Sequence, residues 1–274
     1  QQQNVSFRAT VRAVDELGGT LTSFAGPAAL NAVVAATNQA GTLATNTWNF
    51  PIDTYANNQR AQVIYLTNEL GPSAALKGIF LHVASAPSLQ LGNWTIRLKP
   101  TAWTVHPTNL WEGPDSGWTT VYNEDFTIPG TGWVHFAFNE PFAYDGASNL
   151  LVDFSFSNAD AVANPRGRVS VSTGAVGRAL CWETWFPNND PVQWDGSMFK
   201  PDRSAVFPVI RLDAEVPLGI VPAATGAFSD GVWSGMLSVP AAAPAVVIQA
   251  ASGAARGDSN PFAVAEASAV VQLG

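Results

Sequence analysis

The densest run of chemistry-capable side chains in this 274-residue sequence is Trp182-Glu-Thr-Trp-Phe-Pro-Asn-Asn-Asp-Pro-Val-Gln-Trp194. An exposed indole can stack on the apolar face of a sugar while neighbouring amides and carboxylates bond its hydroxyls. Trp182, Trp185, Asn188, Asn189, Asp190 and Trp194 are therefore the candidate ligand-binding residues, and the ligand they suggest is a polysaccharide. If residues 182–185 are strand, Trp182 and Trp185 point to opposite faces, so that one ring is free to face solvent. The competing reading is that these rings fill a core or cover a sheet edge, because Trp is highly buried on average.

The other reactive side chains give catalysis little support. Gly-x-Ser-x-Gly, His-Glu-x-x-His and phosphate-cradling glycine loops are all absent. His82, His106 and His135 are the only histidines, and His82 and His135 fall inside strand-like runs, where an ordinary packed or surface ring is expected rather than a metal ligand. The single cysteine, Cys181, rules out an internal disulfide framework and reads as a small packed hydrophobe. Asp53, Glu69, Asp115, Glu124, Asp125, Glu140, Asp145 and Asp153 are scattered, and scattered acids on turns are usually solvated. A glycosidase would need two of them facing each other. Calcium bound by loop carboxylates is possible, but no Asp-x-Asp-x-Asp run supports it. Asn4-Val-Ser6 and Asn93-Trp-Thr95 fit the glycosylation acceptor pattern. No catalytic or metal-binding residue is assigned, and the chain reads as non-enzymatic.

The elements that must position these groups are strands. Period-two or apolar β-rich runs occur at Phe7–Val14, Gln62–Thr67, Gly78–Ala84, Trp94–Lys99, Trp118–Tyr122, Trp133–Phe138 and Leu150–Phe156. They continue at Arg168–Ser172, Arg178–Trp182, Val206–Leu212, Gly231–Val239, Ala245–Ala250 and Ala263–Leu273, each bounded by turn-forming residues. In Leu150–Phe156, Val152, Phe154 and Phe156 share one face and Leu151, Asp153 and Ser155 the other. Short, evenly spaced strands without helical patterns predict an all-β chain of two antiparallel β-sandwiches. The Ala-rich stretch Pro27–Thr37 has helical propensity but sits between turn signals.

Composition locates the domains. Before about residue 40 and after about residue 213 the chain is rich in Ala, Val and Ser and holds one of the ten Trp, Trp233. Between them lie the other nine. This predicts a discontinuous host, residues 1–42 with 213–274, interrupted by a guest at 43–212, with linkers near Ala40–Thr47 and Asp213–Pro217. Charged residues are only 12% and the formal net charge is −8, which excludes a nucleic-acid partner, since phosphate neutralisation needs clustered Lys and Arg. No basic run suits an anionic membrane surface, and no stretch of eighteen apolar residues is present for membrane insertion.

Two resemblances agree with this division. Val5–Leu30, with Arg8-Ala-Thr-Val-Arg-Ala-Val-Asp15 and Thr22-Ser-Phe-Ala-Gly26, resembles the opening strands of immunoglobulin-like modules repeated in large bacterial surface proteins. Ala227–Val239, Ile248–Ala250 and Asp258–Val264 resemble the closing strands of the same module. The middle, through Gln62-Val-Ile-Tyr65, Asn93-Trp-Thr-Ile-Arg97, Gly117–Tyr122, Pro141–Gly146 and Asn149–Phe154, resembles a jelly-roll-like module of secreted and surface-anchored bacterial proteins. The resemblance implies a secreted or cell-surface location and a structural or adhesive role.

The resembled modules place a strand ahead of the segment matching Val5–Val14, where this sequence has Gln1–Asn4. At the other end Ala265–Leu273 continues past the closing strand as an apolar, β-capable tail. The expectation is self-association through the terminal strands, the tail of one copy filling the edge of the next. Its interface would involve Val5, Phe7, Ala267, Ala269, Val270, Val271 and Leu273.

Overall fold

Period-two runs punctuated by Gly, Pro and Asn leave little room for helix, and the chain folds almost entirely as strands. A computed structural model describes residues 1–162, 164–187 and 189–267. In chain order the strands are β1 (Phe7–Arg12), β2 (Ala29–Ala40), β3 (Thr47–Trp48), β4 (Asn58–Tyr65), β5 (Ala74–Ser85) and β6 (Leu91–Thr101). They continue with β7 (Thr119–Phe126), β8 (Gly132–Tyr144), β9 (Asn149–Ser157), β10 (Arg168–Thr173), β11 (Ala179–Thr184) and β12 (Asp202–Ser204). The last six are β13 (Val206–Pro208), β14 (Ile210–Pro217), β15 (Val232–Leu237), β16 (Ala243–Ser252), β17 (Ala255–Asp258) and β18 (Phe262–Val264). One helical turn, α1 (Thr67–Leu70), and a 3-10 turn at Pro191–Gln193 complete the regular structure of the described residues. None of it is a helix long and apolar enough to cross a membrane.

The chain forms two compact units, residues 1–35 with 215–274, and residues 36–214. It passes from the first to the second inside β2 and returns inside β14. The outgoing passage therefore lies within a strand rather than in the expected linker at Ala40–Thr47.

In the first unit β1 pairs antiparallel with β15, from Phe7 opposite Leu237 to Arg12 opposite Val232. The facing sheet is built on β16, which pairs with β2, β17 and β18. Phe7, Ala9 and Val11 alternate inward onto Leu30, Ala32, Leu237, Val246 and Ile248, while Arg8, Thr10 and Arg12 face out. The Ala-rich stretch is strand, not helix: Ala29–Val34 pairs with Val246–Ala251, and Ala32 and Val33 are buried. A ladder plus burial outweighs the few tenths of a kcal/mol per residue by which alanine prefers helix.

In the second unit a six-stranded sheet runs in the order β12-β11-β4-β9-β6-β7. β5 pairs with β8 and β10, and β10 also carries β3 and β13. β9 lies between β4 and β6, and everything from Leu150 to Phe156 is buried, on both faces. One face is conventional core, with Trp94 stacked on Phe154 at 5.9 Å and against Phe136 at 5.6 Å. The other is polar, and it organises the loops that carry the aromatic candidates.

Candidate functional site

Asp153 corrects the expectation that the scattered acids are solvated. It is 1% exposed, and Arg60 donates to it through Nε at 3.0 Å and Nη2 at 3.1 Å. Arg97 donates to the same carboxylate through Nε at 2.9 Å. Burial pushes the Asp153 carboxyl up, but Arg60 and Arg97 together outweigh it and hold the group below the ordinary carboxylate range. Arg60 is itself pulled below its ordinary value by burial, against the raising effect of Asp153.

Two guanidiniums on one carboxylate leave donors over, and those donors fix the covering loops. Arg60 Nη1 donates to the Trp194 carbonyl at 2.7 Å and Nη2 to the Glu112 carbonyl at 3.2 Å. Gln62 clasps Glu112 from both sides, donating to its carbonyl at 3.0 Å and accepting from its amide at 2.9 Å. Lys99 forms an ion pair with the Glu112 side chain. The Arg60 guanidinium lies 4.7 Å from the Trp111 ring and that of Arg97 4.9 Å from Trp118, so the loop indoles cap the buried charges.

The aromatic run Trp182–Trp194 is consequently drawn inward. Trp194 is 3% exposed, packs with Trp111 and Phe199, and donates through Nε1 to Asn189 Oδ1 at 3.1 Å. Trp182 is half-buried against the same cluster. Asp190 accepts from the Val192 amide at 3.0 Å and caps the 3-10 turn. Trp194 is thus buried, Trp182 and Asn189 are half-buried with structural partners, Asp190 is exposed while capping its turn, and Asn188 lies outside the described residues.

Trp185 differs. Its ring is 52% exposed, and its Nε1 donates to the Tyr55 carbonyl at 3.0 Å. Tyr55 meets it edge to face, with centroids 5.7 Å apart and planes at 83°. Phe186 beside it is 70% exposed. The corner is anchored from below. Asn58 donates to the Phe186 carbonyl at 2.6 Å, and Arg166 lies 4.6 Å from the Tyr55 ring while pairing with the fully buried Asp53. Tyr55 and Phe186 escaped the sequence reading. Phe186 adjoined the candidates, but nothing local connects Tyr55 to a tryptophan 130 residues on.

The remaining reactive groups stay apart. His82 shares a hydrogen bond with Ser170 Oγ at 2.9 Å, and His135 stacks on Phe80 and sits 3.3 Å from Asp213. His106 is buried, bonds the Gln62 carbonyl at 3.1 Å, and is driven down to about 4, chiefly by burial. Cys181 packs against Phe50 and Ala61, and burial pushes its thiol up to about 12, far from nucleophilic. Asp145 spends its carboxylate on its own turn, accepting from the Ala147 and Ser148 amides at 2.8 Å each. Among the described residues no three His, Cys, Asp or Glu side chains gather as a metal site, calcium included.

The terminal strands create a different kind of site in the first unit. Gln1–Gln3 do not leave the closing strand bare: Gln2 bridges Ala265 in parallel, Gln3 donates to the Ala265 carbonyl at 2.9 Å, and the Ala265 amide donates to Gln1 at 2.9 Å. The exposed edge is instead the outer side of β1, which among the described residues has a ladder with β15 alone. Beside it runs a groove of about 350 Å³, bordered by Ala9–Val14 on one side and Ala255–Ser259 on the other, with Leu237, Ile248 and Phe228 in its lining. Small side chains, including Ala250 and Ala251, leave the space.

Of the expected interface residues, Phe7 is committed to its own unit, meeting Phe262 edge to face at 5.6 Å, whereas Val5 is 50% exposed. Ala267 is exposed; Ala269, Val270, Val271 and Leu273 lie outside the described residues. The lining residues Arg12 and Arg256 were missed, because only the fold brings β1 beside β17.

No protein-family model and no curated protein matches this chain. Among solved structures it is similar to the clostridial cysteine protease Cwp84 after propeptide cleavage, at 12% identity and a TM-score of 0.40. That likeness covers 66% of this chain and 40% of the protease chain, and a likeness so weak carries no argument about activity.

Proposed function

We propose that this protein is a non-enzymatic, extracellular structural or adhesive subunit that self-associates head to tail through its terminal strands. The observation that carries the reading is the apolar groove beside the outer edge of β1, which among the described residues has no ladder partner. A strand edge presents a row of backbone donors and acceptors that another chain can complete, and a groove beside it receives alternate side chains. The segment Ala265–Leu273 supplies a suitable partner, with Ala267, Ala269, Val271 and Leu273 on one face of a strand. Donation from one copy to the next is heterologous, so it builds open chains rather than closed dimers.

Light scattering and negative-stain microscopy on the intact chain, and on one ending at Ala267, test this. The shorter chain keeps the pairing of Gln1–Gln3 with Ala265. Chains of growing length from the first and monomers from the second are expected. A monomeric intact chain overturns the reading.

The corner formed by Tyr55, Trp185 and Phe186 favours a second reading, a carbohydrate-binding surface on the inserted unit. Rings held at right angles by backbone bonds present stacking faces with little entropy left to lose. Saturable retention on an insoluble polysaccharide, weakened about tenfold or more in Trp185→Ala, is the expected result. Retention unchanged in that variant, or none in the parent, excludes the corner.

A further inference from the structure

Building on the self-association reading, we infer that the β1–β17 groove receives residues 266–273 of a second copy antiparallel to β1, with Glu266 latched between Arg12 and Arg256 of the receiving copy.

The direction follows from the distribution of charge and apolar surface. Arg12 stands near one end of the groove, on the part of its border that leads to Val14, and Arg256 is opposite Ala251 in the β16–β17 ladder. Both are exposed, and neither has an ion-pair partner among the described residues. Toward the other end lie Leu237, which is opposite Phe7 in the ladder, and Ile248, which is opposite Ala32. Asp258, two residues beyond Arg256 in that direction, is the one acid on the border. The tail carries its one charged side chain, Glu266, at its start and its largest apolar side chain, Leu273, toward the other end.

Run antiparallel to β1, the tail meets both requirements. Glu266 reaches the two arginines and stays clear of Asp258, and Leu273 reaches the apolar end near Leu237 and Ile248. Run parallel, it places Glu266 over apolar surface and Leu273 between two guanidiniums. The antiparallel sense also completes the outer edge of β1 with the more stable ladder type.

Such a latch makes assembly sensitive to ionic strength, because the paired groups lie at the rim and screening shortens their reach from about 30 Å at 0.01 M salt to about 3 Å at 1 M. The apolar residues supply affinity and the charges supply direction.

A charge-reversal cycle on the full chain tests the assignment, with the self-association constant read by light scattering at low salt and again at 0.5 M, where the Debye length is about 4 Å. In Arg12→Glu with Arg256→Glu, assembly should weaken about tenfold at low salt and far less at high salt. Adding Glu266→Arg to that pair should restore assembly to within about threefold of the parent. All three positions are exposed, and far-UV circular dichroism checks that each variant is folded.

As a second readout, a peptide of residues 265–274 should bind the chain ending at Ala267, and the double reversal should weaken it by the same factor. If the parent assembles but the double reversal changes nothing, or the added Glu266→Arg does not restore assembly, the groove and polarity are wrong while self-association stands. If the chain ending at Ala267 keeps the parent's mass as a closed dimer, an edge-to-edge pairing of β1 has replaced the donated tail. A monomeric parent removes both readings together.

Discussion

Asp153 illustrates how far a side chain's meaning depends on its neighbours. In the sequence it is one of 21 acids; in the fold it is the carboxylate shared by two buried arginines, and the spare donors of Arg60 hold the carbonyls of Glu112 and Trp194. Asp153→Ala leaves both guanidiniums buried and unpaired, and should cost about 3–5 kcal/mol in urea unfolding, because uncompensated buried charge is what makes such losses large. Trp185 should then also lose its orientation only if the loops detach, which Trp fluorescence would report. His106 gives a second measurable effect at this scale. Its folded-state value of about 4 lies below its ordinary 6.5, so the unfolded chain binds the proton first as pH falls. The stability associated with the neutral buried ring is complete above about pH 6.5 and is lost progressively toward pH 4, about 3 kcal/mol across that window. Urea midpoints from pH 7 to pH 4 should show that slope, and His106→Asn should flatten it.

Among the elements, β9 and β2 depart most from their sequence patterns, and for one reason. Alternation in Leu150–Phe156 correctly separates Phe154 from Asp153, yet a central strand roofed by loops buries both faces, so polarity there marks a buried network rather than solvent. The Ala-rich β2 pairs antiparallel with β16, and pairing with residues more than 200 positions away decided against its local preference. Close approach between backbones is likewise invisible in sequence. A Cβ on Gly167 would stand 1.9 Å from the Ile52 carbonyl oxygen, and backbone cannot swing aside as a flexible side chain does. Gly167→Ala should therefore destabilise the second unit by about 1–3 kcal/mol, read as a lowered thermal midpoint. A midpoint unchanged within error would mean that the segment before β10 yields more easily than its packing suggests.

At the scale of the whole molecule, both the interruption of one unit by another and the self-association reading depend on which ends meet. Residues 1–35 and 215–274 make one compact unit although the entire second unit separates them in sequence. The truncation at Ala267 belongs to this scale, since the intact and shortened chains differ only in the proposed donor. The amino-acid sequence by itself determined the all-β class, the strand runs, the contrast between an aromatic middle and an alanine-rich periphery, and the apolar tail, because periodicity and composition are local properties. Only the tertiary structure decided that Trp194 is buried while Trp185 is exposed, that Tyr55 stands beside it, that Asp153 holds two arginines, and that β1 and β17 flank one groove. Each of these is a meeting of residues far apart in the chain, fixed by strand order and loop closure, to which no local pattern is sensitive.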